Sequence, residues 1–106
     1  MAVFTKRVLS GSTDGRPVDV VQTASPGTTI NTAATADKDE IHLWGAAYAT
    51  TDREIVIEFG GTATADKIVD LLPARGGPVL LVPGLILTNG LIMRAFATAT
   101  SGIAVS

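Results

Sequence analysis

The stretch Leu85-Ile86-Leu87-Thr88-Asn89-Gly90-Leu91-Ile92-Met93-Arg94-Ala95-Phe96-Ala97 places two apolar runs on either side of an Asn-Gly dipeptide. Both Asn and Gly tolerate the positive φ values found in the two-residue turns that join antiparallel strands. We therefore expect Leu85–Thr88 and Leu91–Ala97 to be neighbouring strands of a hairpin. The continuous apolar run Pro78–Val82 that precedes them is typical of a strand buried on both faces.

A second segment, Arg53–Phe59, alternates with a period of two. Its regularly spaced apolar residues share one face: Ile55, Ile57 and Phe59. Glu54 and Glu58 lie on the opposite face, with Val56 between them. This pattern predicts a strand with one face in the core and one in water. We accordingly expect both glutamates to be solvated and Glu58→Lys to leave folding nearly intact.

Further short strands complete an all-β pattern, with Gly, Pro, Asp and Asn in the turns between them. They are expected at Val3–Leu9, Val18–Gln22, Thr28–Thr32, Glu40–Tyr48 and Ile103–Val105. The best helical candidate, Thr64–Leu72, is at most two turns long because Pro73 ends it. The sequence predicts a single domain over residues 1–106, an antiparallel β-sandwich of about eight short strands, jelly-roll-like or Ig-like. Residues 1–10 are either its first strand or an extended arm.

The composition excludes several classes of protein. With 8 Lys and Arg against 10 Asp and Glu, the formal net charge is −2, whereas a general nucleic-acid binder is basic. No apolar run approaches the ~18 residues of a membrane span, so we expect no nucleic-acid and no membrane partner. The chain has no cysteine, which excludes disulfides. The segment after Met1 does not resemble a signal peptide, so we expect synthesis in a cytoplasm.

Residue types that carry catalysis or bind metals are few. The only histidine, His42, lies between two apolar strand residues, and the serines lie in turns or at the ends. Asp37-Lys38-Asp39-Glu40 lacks the spacing of an EF-hand calcium loop, and the glycine pairs lack a phosphate-binding pattern. We therefore expect no enzyme activity, no catalytic or metal-binding residues and no cofactor.

Candidate contact residues are more numerous. Trp44 and Tyr48 share one face of a predicted strand; such aromatics bind sugars or bases, or anchor protein interfaces, and we favour an interface. Arg94 faces the same way as Phe96 and is either paired across an interface or exposed on an edge strand. The remaining candidates lie near the N-terminus: Phe4, Lys6 and Arg7. An extended arm there would bind by adding a strand to a neighbouring sheet.

The second half of the chain resembles a family of small virion proteins encoded among the structural genes of tailed bacteriophages. The resemblance runs over roughly residues 40–106 and is carried by Ile41-His42-Leu43-Trp44-Gly45-Ala46, Ile55–Thr62, Val79–Gly90 and Met93-Arg94-Ala95-Phe96-Ala97. It implies a β-sandwich that decorates or cements the capsid, commonly as a homotrimer over threefold positions of the major capsid lattice. The expected partners are therefore the major capsid protein and further copies of this chain, and the expected location is the capsid surface of the virion.

Two alternative functions stay open on the sequence. The chain fits a tail, collar or fibre-base component of a virion equally well, because nothing in its residues separates these places from the capsid. A carbohydrate-binding β-sandwich module is the other alternative, with Trp44 and Tyr48 as the stacking residues.

Overall fold

The computed structural model describes residues 9–33, 39–98 and 102–106. Within these ranges the chain forms eight strands and one short 3₁₀ turn at Thr64–Asp66. The strands are β1 (Val18–Val20), β2 (Thr28–Thr32), β3 (Asp39–Ala47), β4 (Arg53–Phe59), β5 (Lys67–Leu72), β6 (Val79–Leu87), β7 (Ile92–Ala97) and β8 (Ile103–Val105). Of the predicted first strand or arm, only Leu9 and Ser10 are described, and neither lies in a strand; Phe4, Lys6 and Arg7 lie outside the described residues.

The strands form two four-stranded sheets in which neighbours run antiparallel. The first sheet has the order β1-β8-β3-β6 and the second sheet has the order β2-β7-β4-β5. The predicted antiparallel β-sandwich of about eight strands is therefore confirmed. Each sheet contributes one face to a shared core and turns the other face, called its outer face below, away from the core.

The core consists of side chains that alternate inward from both sheets, as a period of two requires. The first sheet supplies Val20, Leu43, Val82, Ile103 and Val105, and the second supplies Ile30, Ile55, Ile57, Leu72 and Met93, all fully buried. Ile55 and Ile57 therefore lie where the alternation of β4 predicts them.

The turn at Asn89-Gly90 has the predicted backbone but does not make a hairpin. Asn89 and Gly90 have φ values of 60° and 68°, and the Leu91 N–H donates to the Thr88 carbonyl at 3.2 Å. However, β6 pairs with β3 in the first sheet, while β7 pairs with β2 and β4 in the second. The turn crosses from one sheet to the other, so the predicted pairing of the two strands is wrong. Local turn chemistry fixes the dihedral angles, whereas the choice of partner strand is a tertiary matter.

The best helical candidate, Thr64–Leu72, is helical only in its first turn. Only Thr64–Asp66 is helical, and Lys67–Leu72 pairs along its whole length with β4. An isolated two-turn helix is marginal in water, and pairing with β4 satisfies the same backbone groups while burying Leu72. No helix in the described ranges is long and apolar enough to cross a membrane.

Most of the two apolar runs Pro78–Val82 and Leu85–Thr88 belongs to one long strand, β6 (Val79–Leu87), at the edge of the first sheet. Leu81 and Val82 are buried, whereas Leu80 and Ile86 are 40% and 56% exposed. The expectation that Pro78–Val82 is buried on both faces is therefore wrong, because Leu80 projects from the outer face of the first sheet, where it is exposed beside Trp44. Its register against β3 shifts twice.

Candidate functional site

The outer face of the first sheet carries an apolar surface built on β3. Trp44 lies directly opposite Leu80 on β6, and Ala46 lies directly opposite Ala104 on β8. We call these four residues the Trp44 face. The two alanines are small, so they form a low floor beside the indole ring. Trp44 is 46% exposed and Leu80 is 40% exposed, which makes them large apolar side chains left in water.

The backbone beneath Trp44 is held on its other side by the end of the chain. The Trp44 N–H donates to the Ser106 carbonyl at 2.7 Å, and the Ser106 N–H donates back to the Trp44 carbonyl at 2.8 Å. On the other side, Trp44 is paired with Leu80 of β6. The indole therefore projects from a central strand of the sheet and not from an edge. The backbone that carries the indole is therefore held in place before any partner binds, and this lowers the entropic cost of binding.

Polar pairs border the Trp44 face at both ends. At one end the Tyr48 hydroxyl donates to the Asp19 carboxylate at 2.8 Å, and at the other His42 Nε2 lies 2.9 Å from Glu40 Oε1. The hydrogen bond to Asp19 raises the pKa of the Tyr48 phenol above its ordinary value of 10.0, and desolvation and the Asp19 charge act in the same direction. The result is an apolar centre with a polar rim, the usual anatomy of a protein contact surface.

The other two predicted contact residues lie on the opposite side of the sandwich. Arg94 and Phe96 project from β7 on the outer face of the second sheet, and both are half-buried. They do face the same way, as expected. The reading of Arg94 as exposed on an edge strand is wrong, since β7 lies between β2 and β4. Trp44 and Tyr48 therefore share one surface, and Arg94 and Phe96 share another.

Glu58 was expected to be solvated, and this prediction is wrong. Glu58 lies on the outer face directly opposite Arg94, yet it is fully buried. The segment between β1 and β2 covers it: the Ser25 hydroxyl donates to one carboxylate oxygen at 2.6 Å and the Gly27 N–H donates to the other at 2.7 Å. The Ser25–Pro26 peptide bond is cis. The alternation of β4 contains no signal for this cover, because the covering segment lies some thirty positions earlier in the chain.

The second sheet also leaves apolar side chains in water along its β5 edge. Val69 and Leu71 project from its outer face and are 57% and 59% exposed. Val69 lies opposite Val56, which in turn lies opposite Phe96. The three side chains form one apolar row across the sheet. The sequence analysis did not predict this row, because it considered Val69 and Leu71 as part of a helical candidate.

Within the described ranges, no three His, Asp or Glu side chains are grouped so that they would hold a metal ion. In the same part of the chain every buried side-chain nitrogen and oxygen has a hydrogen-bond partner. No protein-family model, no curated protein and no solved structure matches the chain.

Proposed function

We propose that the protein is a structural component of a bacteriophage virion that decorates the capsid, binding the major capsid protein through the Trp44 face. The observation that carries this proposal is the exposed pair Trp44 and Leu80, held side by side on adjacent strands of a sheet. Burial of an exposed tryptophan at the centre of an interface is among the largest single contributions to binding. A rigid sheet presents that side chain without a change of conformation.

The shape and rim of the Trp44 face support a protein partner. A low alanine floor beside a large ring allows a partner side chain to pack against the edge of the indole, which gives shape complementarity. The polar pairs Tyr48–Asp19 and His42–Glu40 remain at the border, where solvent reaches them. Charged residues at a rim select the partner and the orientation more than they strengthen the contact.

The choice of the capsid as partner comes from the resemblance of residues 40–106 to phage virion proteins. A capsid lattice repeats the same binding site many times, and a decoration protein that contacts more than one site gains avidity. A contact of modest strength at each Trp44 face is then enough for stable attachment. The homotrimer expected from the resemblance stays a prediction.

Capsid binding tests the proposal with two leucines of similar exposure. Leu80 on the Trp44 face is 40% exposed, and Leu91, in the turn between β6 and β7, is 45% exposed. Purified protein is mixed with shells of the major capsid protein of the same phage, and bound protein is measured after sedimentation. We expect Trp44→Ala and Leu80→Ala to weaken binding at least about tenfold, a loss of about 1.4 kcal/mol. Leu91→Ala should bind as the wild type does.

Different results would contradict the assigned binding surface and the proposed capsid function. Binding that is unchanged in both Trp44→Ala and Leu80→Ala contradicts the assigned surface. If the wild type does not bind shells at all, the capsid proposal fails. Copy number then decides on the tail, collar or fibre-base alternative, since a lattice component is present in hundreds of copies and a tail component in a handful.

A carbohydrate-binding module is the second candidate, because the exposed Trp44 ring has the hydroxyl of Tyr48 and the carboxylate of Asp19 on the same side of the sheet. An aromatic ring with neighbouring polar groups is suited to stacking against a sugar and to hydrogen bonding with its hydroxyls. A glycan screen with the wild type and Trp44→Ala distinguishes this function. Binding by the wild type that Trp44→Ala abolishes would favour it, and the absence of binding by both proteins would exclude it.

A further inference from the structure

Each of the two sheets has two edge strands, and three of the four edges are closed to further strands. On β2, the Ile30 carbonyl accepts from the Gly11 N–H and the Thr32 N–H donates to Ser10 Oγ. The segment around Ser10 and Gly11, which precedes β1, therefore covers this edge. β1 is only three residues long. β6 contains Pro83 and Gly84 and shifts register twice against β3. Cover, shortness, proline and bulges are the devices by which proteins prevent edge-to-edge pairing.

Among the described residues no strand pairs with the outer edge of β5, and the charged residues of this strand are Lys67 and Asp70. Its six residues contain no proline or glycine, and its register with β4 is regular from Arg53–Leu72 to Glu58–Lys67. Two of its side chains, Val69 and Leu71, are apolar and more than half exposed. An edge strand with a regular register and exposed apolar side chains is a template for another strand.

The hydrogen bonds define which backbone groups of β5 face outward. The Glu54 carbonyl accepts from the Thr98 N–H, so the backbone of Glu54 points toward β7. Along an antiparallel pair, successive residues direct their backbone N–H and carbonyl groups toward the partner strand and away from it in turn. Glu54 directs these groups away from β5, and its partner Leu71 therefore directs them away from β4. Val69, two residues earlier, does the same. Two outward N–H groups already have acceptors: that of Lys67 donates to the Thr64 carbonyl, and that of Leu71 donates to Asp70 Oδ1 at 2.8 Å. No described residue bonds to the outward N–H or carbonyl of Val69, so Val69, at the centre, offers both.

We propose that a second copy of this chain pairs with β5 through its own β5, antiparallel about a two-fold axis at Val69. Val69 of each copy then donates its N–H to the Val69 carbonyl of the other, which uses the N–H and the carbonyl that Val69 directs outward. In this register Lys67 lies opposite Leu71 of the second copy, and no two like charges meet on the outer face. The surface is complementary to itself, as a two-fold contact requires.

The pairing also joins the apolar rows of the two copies. Within one copy, Phe96, Val56 and Val69 are successive cross-strand neighbours. With Val69 against Val69, the row continues as Val56 and Phe96 of the second copy, so six apolar side chains cross one continuous eight-stranded sheet. Cross-strand apolar pairs are the unit by which sheets are stabilised. This contact does not depend on capsid binding, because Val69 and the Trp44 face lie on different sheets.

Light scattering on the purified protein tests the pairing, with Val21 as the matched control. Val21 is 58% exposed and lies outside β5, and Val69 is 57% exposed. The wild type should contain an even number of copies, whether as a dimer or as two joined trimers. Val69→Lys, which places two ammonium groups at the axis, should halve the mass. Val69→Pro, which removes the outward N–H without disturbing the pairing with β4, should do the same, and Val21→Lys should leave the mass unchanged.

Amide hydrogen exchange supplies a measurement that needs no variant. The Val69 N–H has no acceptor among the described residues of one copy, so we expect its exchange to slow as the protein concentration rises. A wild type that is monomeric or contains an odd number of copies overturns the proposal, and so does an unchanged mass in Val69→Lys. A monomeric wild type whose Val69→Lys variant loses capsid binding would assign the edge to a strand of the capsid protein instead.

Discussion

The Ser25 hydroxyl donates a 2.6 Å hydrogen bond to the carboxylate of Glu58, a residue on the outer face of the second sheet. The bond closes the segment between β1 and β2 over that face and leaves Glu58 fully buried. A buried carboxylate is stable only when its oxygens have donors, and here the Gly27 N–H supplies the second. The glutamate therefore holds a long connection in place, although on β4 alone it has the pattern of a solvated residue.

Replacement of Glu58 should destabilise the fold. Glu58→Ala removes both acceptor oxygens and leaves the Gly27 N–H and the Ser25 hydroxyl without this partner, so we expect a loss of about 1–3 kcal/mol in the free energy of unfolding. Glu58→Lys places a cation against the same two donors, and we expect a loss of about 3–5 kcal/mol. Urea unfolding followed by circular dichroism measures both values.

Glu54 is the control for these variants, since it lies on the same face of β4 and is exposed. Glu54→Lys should change the free energy of unfolding by less than about 0.5 kcal/mol. Equal effects of lysine at positions 54 and 58 would contradict the closed arrangement of the Ser25 segment.

A charge in the core should prevent folding. Ile57 is fully buried between the sheets, and Ile57→Asp would bury a carboxylate with no donor provided for it. Because a domain of this kind has about 5–15 kcal/mol of stability in total, we expect Ile57→Asp to be unfolded. Ile57→Val keeps the apolar character and should cost about 0.5–1.5 kcal/mol. Near-native dispersion in the NMR spectrum of Ile57→Asp would refute the assignment of this residue to the core.

The sequence predicted the elements of the fold better than their pairing. Ile55 and Ile57 alternate with a period of two, and that local pattern was enough to identify the core face of β4. Glu58 follows the same alternation but is covered by a segment far away in the chain, so no local signal marks it. Leu71 belongs to a segment that resembles a short helix, and only pairing with β4 makes it a strand.

The candidate site shows the same division. Trp44 and Tyr48 were placed on one face by strand alternation alone, because their spacing fixes their direction. Leu80, the cross-strand neighbour of Trp44, was expected in a doubly buried strand and is instead exposed on an edge. Leu80 lies beside Trp44 because β6 pairs with β3. The hairpin expected from Asn89-Gly90 would instead have paired the end of β6 with β7.

The turn between the sheets should tolerate glycine but not valine at position 89. Asn89 has a φ of 60°, a left-handed conformation that Asn and Gly adopt readily and β-branched residues do not. We expect Asn89→Val to cost about 1–2 kcal/mol in the free energy of unfolding. Asn89→Gly should change it by a few tenths of a kcal/mol, which is the matched control. If thermal unfolding shows valine and glycine to be equivalent, the turn does not have the described backbone.

Alkaline titration should reveal the contact between Tyr48 and Asp19. Tyr48 is the only tyrosine in the chain, so the phenolate absorbance reports on this residue alone. Its pKa is raised above 10.0 because the phenol donates to Asp19, with burial and the Asp19 charge adding to the effect. The folded pKa exceeds the unfolded one, so the contact stabilises the fold fully below pH 10.0 and ceases to do so as the pH rises through the folded value. Asp19→Ala should return the midpoint toward 10.0, whereas Glu54→Ala, on the other sheet, should leave it where it is in the wild type. A midpoint that does not respond to Asp19→Ala would show that the two side chains are not in contact in solution.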